Sequence, residues 1–221
     1  MVKSCKYYFF RKSIVIVVVL MLITATGHAQ FFVEGGGSIG YSESNTFDVL
    51  GSKIFTFKVS QKIGYLFNDN IAAGAMITYT YRSYKDIEFN QDDPNLDKEG
   101  IYREPEWRIS VFGRYKLLSK EKFSVLVESS IGFGRSTLIL KDFFYDEIGH
   151  ENIKFFDVVP SVSYELSEKF SIFATCDILK LGFTYTSGTN VYNEGKKATA
   201  CAFGFRTESP TFFRMSFLYK F

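Results

Sequence analysis

Eleven charged side chains recur in this chain at positions that alternate with large apolar residues: Glu34, Lys58, Lys62, Glu106, Arg108, Arg114, Glu128, Asp157, Glu165, Asp177 and Arg214. A period of two places them on one face of a set of strands and their apolar neighbours on the other. Carboxylates and cations occur among them in similar number. Gathered inside one narrow enclosure, they would form either a salt-bridged filling or the polar lining of a pore. The filling is the expectation, because an uncompensated charge taken out of water is costly and pairing relieves that cost.

Other constellations are weaker. Asp93, Asn95, Asp97 and Glu104 fall at positions 1, 3, 5 and 12 of a calcium loop, but Lys98 stands where that loop needs glycine. No helix pattern flanks the segment, so a solvated acidic loop is the expectation. His150, between Gly149 and Glu151, is the single histidine after residue 28. It would serve a Ser-His-acid hydrolase only beside a suitably placed serine, and no pattern supplies one. No metal-ligand spacing, phosphate loop or nucleotide fingerprint is present, so neither an enzyme nor a cofactor is expected.

The elements that must position these residues are strands. Period-two alternation runs over residues 31–41, 54–67, 71–84, 102–118, 123–136, 153–166 and 170–185, with a bulge expected near residues 179–181. The segment 196–221 reads as an eighth strand with a bulge at Ser209-Pro210, since proline cannot donate to a ladder. Three short turns, at 68–70, 119–122 and 167–169, alternate with longer polar loops at 42–52, 85–102, 139–152 and 186–195. That asymmetry is the mark of a transmembrane barrel. Eight strands are expected, with ten as the alternative. The closing alternation puts Phe213, Met215, Phe217, Tyr219 and Phe221 on one face.

The N-terminus reads as an export signal. Lys3, Lys6, Arg11 and Lys12 precede the ten-residue apolar run 14–23, too short to cross a bilayer as a helix, and Gly27 and Ala29 offer a cleavage site before Gln30. Domain organisation is therefore a signal peptide, 1–29, and one barrel domain, 30–221. Losing the four basic residues of the signal moves the formal net charge from +2 to about −2, which gives no basis for nucleic-acid binding. Cys5 precedes the apolar run and so is no lipidation site. Cys176 and Cys201 are expected to be isolated thiols on strands.

Alternation alone does not say which face points outward. A soluble barrel would hide the apolar face and show the charges to water. Here the apolar face carries aromatics at both strand ends. Tyr65, Phe67, Tyr115, Phe123, Tyr164, Phe170, Tyr219 and Phe221 lie by the short turns, and Tyr41, Tyr79, Tyr81, Trp107, Phe133 and Tyr185 lie toward the long loops. Two such rings match the two interfaces of a bilayer. The expectation is an all-β, up-and-down antiparallel transmembrane barrel whose apolar face meets lipid.

The signal ending in Ala29-Gln30, the repeated aromatic strands and the closing Phe217-Leu218-Tyr219-Lys220-Phe221 resemble the small outer-membrane β-barrel domain proteins of Gram-negative bacteria. The resemblance covers residues 30–221 and implies an eight-stranded barrel in the outer membrane. It also implies insertion by the barrel assembly machinery, which would read Phe217, Tyr219 and Phe221. Porin-like and adhesin-like members imply two kinds of role. The expectation is a monomer in outer-membrane lipid with a structural or surface-interaction role, its partner held by the loops 85–102, 139–152 and 186–195. Phe143, Phe144 and Tyr145 are the candidate contacts. A small-solute channel is the alternative, and a lipid-modifying enzyme centred on His150 the third reading.

Overall fold

A computed structural model describes residues 30–44, 52–87, 100–141, 146–189, 197–205 and 213–221. The strands are β1 (Gln30–Ser44), β2 (Ser52–Leu66), β3 (Ile71–Ile87), β4 (Gly100–Lys120), β5 (Phe123–Lys141), β6 (Asp146–Glu165), β7 (Phe170–Cys176), β8 (Leu181–Thr189), β9 (Lys197–Phe205) and β10 (Phe213–Lys220). All pairings are antiparallel. Consecutive strands pair from β1 through to β6, β6 pairs with β7, β7 with β10, and β10 returns to β1, which closes an eight-strand barrel. The other two strands extend it. β8 continues the line of β7 along β6, and β9 lies beside β8 as β10 lies beside β7.

Eight strands therefore close the ring, as expected, and β8 and β9 extend it without enlarging it to ten. The break between β7 and β8 is a single 3-10 turn, Asp177–Leu179, close to the expected bulge. It resets parity. Ser171, Phe173 and Thr175 are buried before it, Asp177 at its first position, and Lys180, Gly182 and Thr184 after it. Of the segment 196–221 the structure describes β9 and β10, and the expected Ser209-Pro210 bulge between them lies outside the described residues.

At the short-turn end each hairpin is closed locally. The Asn68 side-chain oxygen Oδ1 accepts hydrogen bonds from the Asn70 and Ile71 amides at 2.9 and 2.8 Å, which is how an Asx turn satisfies the backbone. Glu121 takes a positive φ of 53° in the tight β4–β5 turn. The last residue is tied to the first strand by Phe221 N–H donating to Phe31 O at 3.0 Å.

The opposite end is more regular than its sequence implies. β5 and β6 stay paired out to Lys141 and Asp146. The expected loop 139–152 is therefore mostly hairpin, with only 142–145 outside the described residues. Phe143, Phe144 and Tyr145 lie there. Polar side chains and Gly149 made this stretch read as loop, but a hairpin standing clear of the bilayer needs no apolar face.

The orientation of the faces is decided by exposure. Val111, Ile131, Phe133, Tyr164, Met215 and Phe217 are each about half exposed, whereas Glu34, Lys62, Glu106 and Asp177 are at most 4% exposed. A chain in water would bear a large cost for this inversion; a chain in lipid is stabilised by it. Aromatic side chains mark the belt at both edges. Phe170 meets Tyr219 at 5.2 Å and Tyr219 meets Phe221 at 5.1 Å by the short turns; Trp107 meets Phe133 at 6.1 Å at the other edge. Phe123 and Phe133 share a strand ten positions apart. That is roughly 33 Å along the strand, or about 25 Å of height after a tilt near 40°, the height of an outer-membrane apolar band.

Candidate functional site

The site is the lumen, and it is layered. The layer nearest the short turns is built from two cross-strand pairs. Glu34 on β1 lies directly opposite Lys62 on β2, and Arg114 on β4 directly opposite Glu128 on β5. Their side chains meet across the barrel. Lys62 Nζ donates to both oxygens of Glu128 at 2.8 and 2.7 Å and lies 3.2 Å from Glu34. Arg114 Nη2 donates to Glu34 and to Glu128, each at 2.6 Å, and Arg114 Nε adds a bond to Glu128 at 3.1 Å. Ser216 Oγ donates to the second oxygen of Glu34 at 2.7 Å. Two carboxylates and two cations thus form a neutral, closely bonded knot, and charge-assisted bonds of this kind are the strong ones.

Aromatic side chains pack on the knot. Phe32 is fully buried and its ring stands 6.3 Å from that of Phe112. The Arg114 guanidinium lies over Phe173 at 4.4 Å, and Lys62 lies over Phe112 at 5.3 Å. Phe32, Ala72, Phe112, Leu126, Phe173 and Leu218 form one buried apolar cluster. These residues occupy inward positions of their strands, so their burial was readable from parity. The charges that alternate with them drew attention to the polar members only.

Toward the loops lies a second layer. Lys180 is 3.1 Å from Asp157, Lys58 is 3.7 Å from Asp177, and Arg214 is 4.0 Å from Asp177. Lys180 was not foreseen, because its inward position depends on the parity reset at the 3-10 turn. A third layer sits higher still. Arg82 reaches Glu104 at 3.2 Å and Glu106 at 3.1 Å, Glu106 also meets Arg108, and Arg108 stacks over Phe155 at 5.1 Å. Tyr84 and Ser136 both donate to Glu104, at 3.0 and 2.8 Å. At this height, beyond the Trp107–Phe133 edge of the belt, desolvation and then the Glu104 carboxylate push the Tyr84 phenol up. Desolvation, with Glu104 and Glu106 nearby, raises the Glu151 carboxyl.

The expected inward charges divide as follows. Glu34, Lys58, Lys62, Glu106, Arg114, Glu128, Asp157, Asp177 and Arg214 are buried, and Arg108 is partly buried. Glu165 stands apart at the short-turn mouth, half-buried, 3.9 Å from Lys220. Glu104, the twelfth position of the calcium spacing, is a strand residue held by Arg82, Tyr84 and Ser136; Asp93, Asn95 and Asp97 lie outside the described residues. His150 is not in a loop. It sits on β6, with its Nδ1 3.2 Å from the Thr137 hydroxyl across the hairpin. Cys176 and Cys201 are free thiols. Gln30 opens β1, and Ala29 lies outside the described residues. Phe217, Tyr219 and Phe221 lie on the outer wall of the final strand or immediately after it.

Two cavities flank the knot. One, of about 550 Å³, opens at the short turns and reaches up to Arg114. The other, of about 30 Å³, lies above among Lys58, Asp157, Asp177, Lys180 and Arg214.

The apolar belt, the buried charges and the closed ring define a transmembrane β-barrel of the bacterial outer-membrane type. A major outer membrane protein from Thermus thermophilus matches with a TM-score of 0.53 at 11% identity, over 87% of this chain and 99% of that one. Neisserial surface protein A matches with a TM-score of 0.44 at 14% identity, over 88% and 99% of the two chains. The attachment invasion locus protein of Yersinia pestis, solved with the heparin analogue sucrose octasulfate, matches with a TM-score of 0.42 at 11% identity, over 87% and 97%. No family model and no curated protein matches the sequence. The chain is thus an integral outer-membrane barrel with the fold of the small eight-stranded class.

Proposed function

We propose that this barrel is sealed against solutes, has no enzymatic role, and acts at the cell surface through the strand extensions and connections on its loop side. The observation that carries the reading is the knot of Glu34, Lys62, Arg114 and Glu128. With Phe32 and Phe112 packed on it, it separates the 550 Å³ cavity from the 30 Å³ one. An eight-strand lumen has little room to route solute around such a layer. The extensions favour a surface role. From Phe133, β5 runs eight further positions to Lys141 and returns as β6, which is roughly 26 Å of hairpin beyond the outer aromatic edge.

The test is conductance across a planar bilayer with folded, inserted protein. A silent bilayer is expected. Reproducible channel steps would overturn the sealed reading in favour of a small-solute channel, with Arg108 and Arg114 as its selectivity residues. The same proposal takes residues 1–29 as a signal peptide cleaved after Ala29, so N-terminal sequencing of protein from the membrane should begin at Gln30. It takes Phe217, Tyr219 and Phe221 as the signal read by the assembly machinery, with the folded barrel monomeric in lipid.

A further inference from the structure

The cavity at the short-turn end opens outward past a polar, charged rim and narrows inward to a partly apolar wall. Its inner wall is apolar, made by Leu66, Leu126, Phe173 and Leu218. Its ceiling is Arg114, whose charge is already met by Glu34 and Glu128. Two buried hydroxyls, Ser163 and Ser171, line the side. A volume of about 550 Å³ is within the range of small-molecule sites, which pair an apolar wall with a few placed polar groups.

The rim carries charges of both signs around the ring. Lys116 is on β4, Glu165 on β6 with Glu168 in the turn after it, Lys220 on β10, and Asp69 in the turn between β2 and β3. Lys220 is spread toward Glu165 at 3.9 Å, whereas Lys116 makes no ion pair among the described residues. A simple anion would bring its charge to a rim that has three carboxylates against two ammonium groups. A simple cation would leave Lys116 unmet. A molecule with both charges and an apolar side satisfies all three parts of the cavity.

We propose that this cup binds a small apolar zwitterion, of the class of an apolar amino acid or short peptide. Its carboxylate would meet Lys116, its ammonium the Glu165–Glu168 side, and its side chain the Leu126–Phe173–Leu218 wall. The inference does not depend on whether the barrel conducts.

The test is calorimetric titration of the dipeptide leucyl-phenylalanine into folded protein in lipid nanodiscs, which keeps detergent out of the cup. Saturable one-site binding is expected. Lys116→Ala should weaken it at least tenfold, and Leu126→Trp, which fills the cavity, should abolish it. Octanoate and octylamine should each bind at least tenfold more weakly than the dipeptide. Absence of saturable binding to folded wild-type protein would overturn the proposal. So would binding that Lys116→Ala leaves unchanged, or octanoate binding as tightly as the dipeptide. Lys116 lies on the rim, so its variant reads the site even if Leu126→Trp fails to fold.

Discussion

Glu34, Lys62, Arg114 and Glu128 meet at 2.6–3.2 Å. A few positions toward the loops, Lys58, Asp157, Asp177, Lys180 and Arg214 face one another at 3.1–4.0 Å. In the first layer every carboxylate oxygen has a donor. In the second, Asp157 Oδ1, Asp177 Oδ2 and Ser161 Oγ are buried without a hydrogen bond. Among the described residues the first is neutral and the second has three cations against two carboxylates. The cause lies in the strands. Glu34 faces Lys62, and Arg114 faces Glu128, on unbroken ladders that fix the reach of each side chain. Asp177 opens the 3-10 break and Lys180 follows it, so their spacing is set by the turn and not by a ladder. Regular register yields a tightly bonded layer, and a broken stave yields a layer with slack.

The comparison is most exposed to Arg114→Met. It leaves Glu34 and Glu128 with Lys62 as the one cation in direct contact, and an uncompensated buried charge costs about 3–5 kcal/mol. Urea unfolding in lipid vesicles should show that loss. The double variant Lys62→Met, Glu128→Met removes one charge of each sign and leaves Arg114 facing Glu34. It should cost well under the sum of its two single variants, because replacing a buried pair is far milder than breaking it. A double variant equal to that sum would mean the four charges do not act as a unit.

The next largest effect sharpens the contrast between lumen and wall. Val111 is 60% exposed and sits on β4 midway between Trp107 and Tyr115, at the two edges of the belt. Val111→Lys should cost about 2–4 kcal/mol, and Tyr115→Lys, at the interface, about 0–1 kcal/mol. Equal costs at the two positions would remove the case for a bilayer-spanning belt.

Much of this was legible in the chain. Period-two alternation placed the strands, and the aromatic residues at both ends of the apolar face gave its direction, because both follow from local pattern. The knot was legible only in part. Parity put Glu34, Lys62, Arg114 and Glu128 on the inner face, but which of eleven charges would meet depends on register across the barrel, and no local signal carries that. Lys180 was missed because a 3-10 turn shifts parity by one, and Leu179-Lys180-Leu181 reads the same with or without it. The hairpin at 137–150 was missed because strand above a membrane has no lipid-facing stripe to announce it.

Within the lumen, the smallest effect is expected where the slack is. Asp177 is 1% exposed, yet its nearest cations, Lys58 and Arg214, stand at 3.7 and 4.0 Å. Asp177→Asn keeps the shape and removes one of the two carboxylates that this layer shows among the described residues. Long contacts have less to lose, so the cost should be about 1–2 kcal/mol, within the range for a buried polar group deprived of its partner. Lys58→Met added to Asp177→Asn should recover part of it, since the layer then returns to its original charge. Urea unfolding of both variants beside Arg114→Met gives the ranking. Asp177→Asn matching or exceeding Arg114→Met would mean that the loop-side layer, not the knot, holds the barrel together.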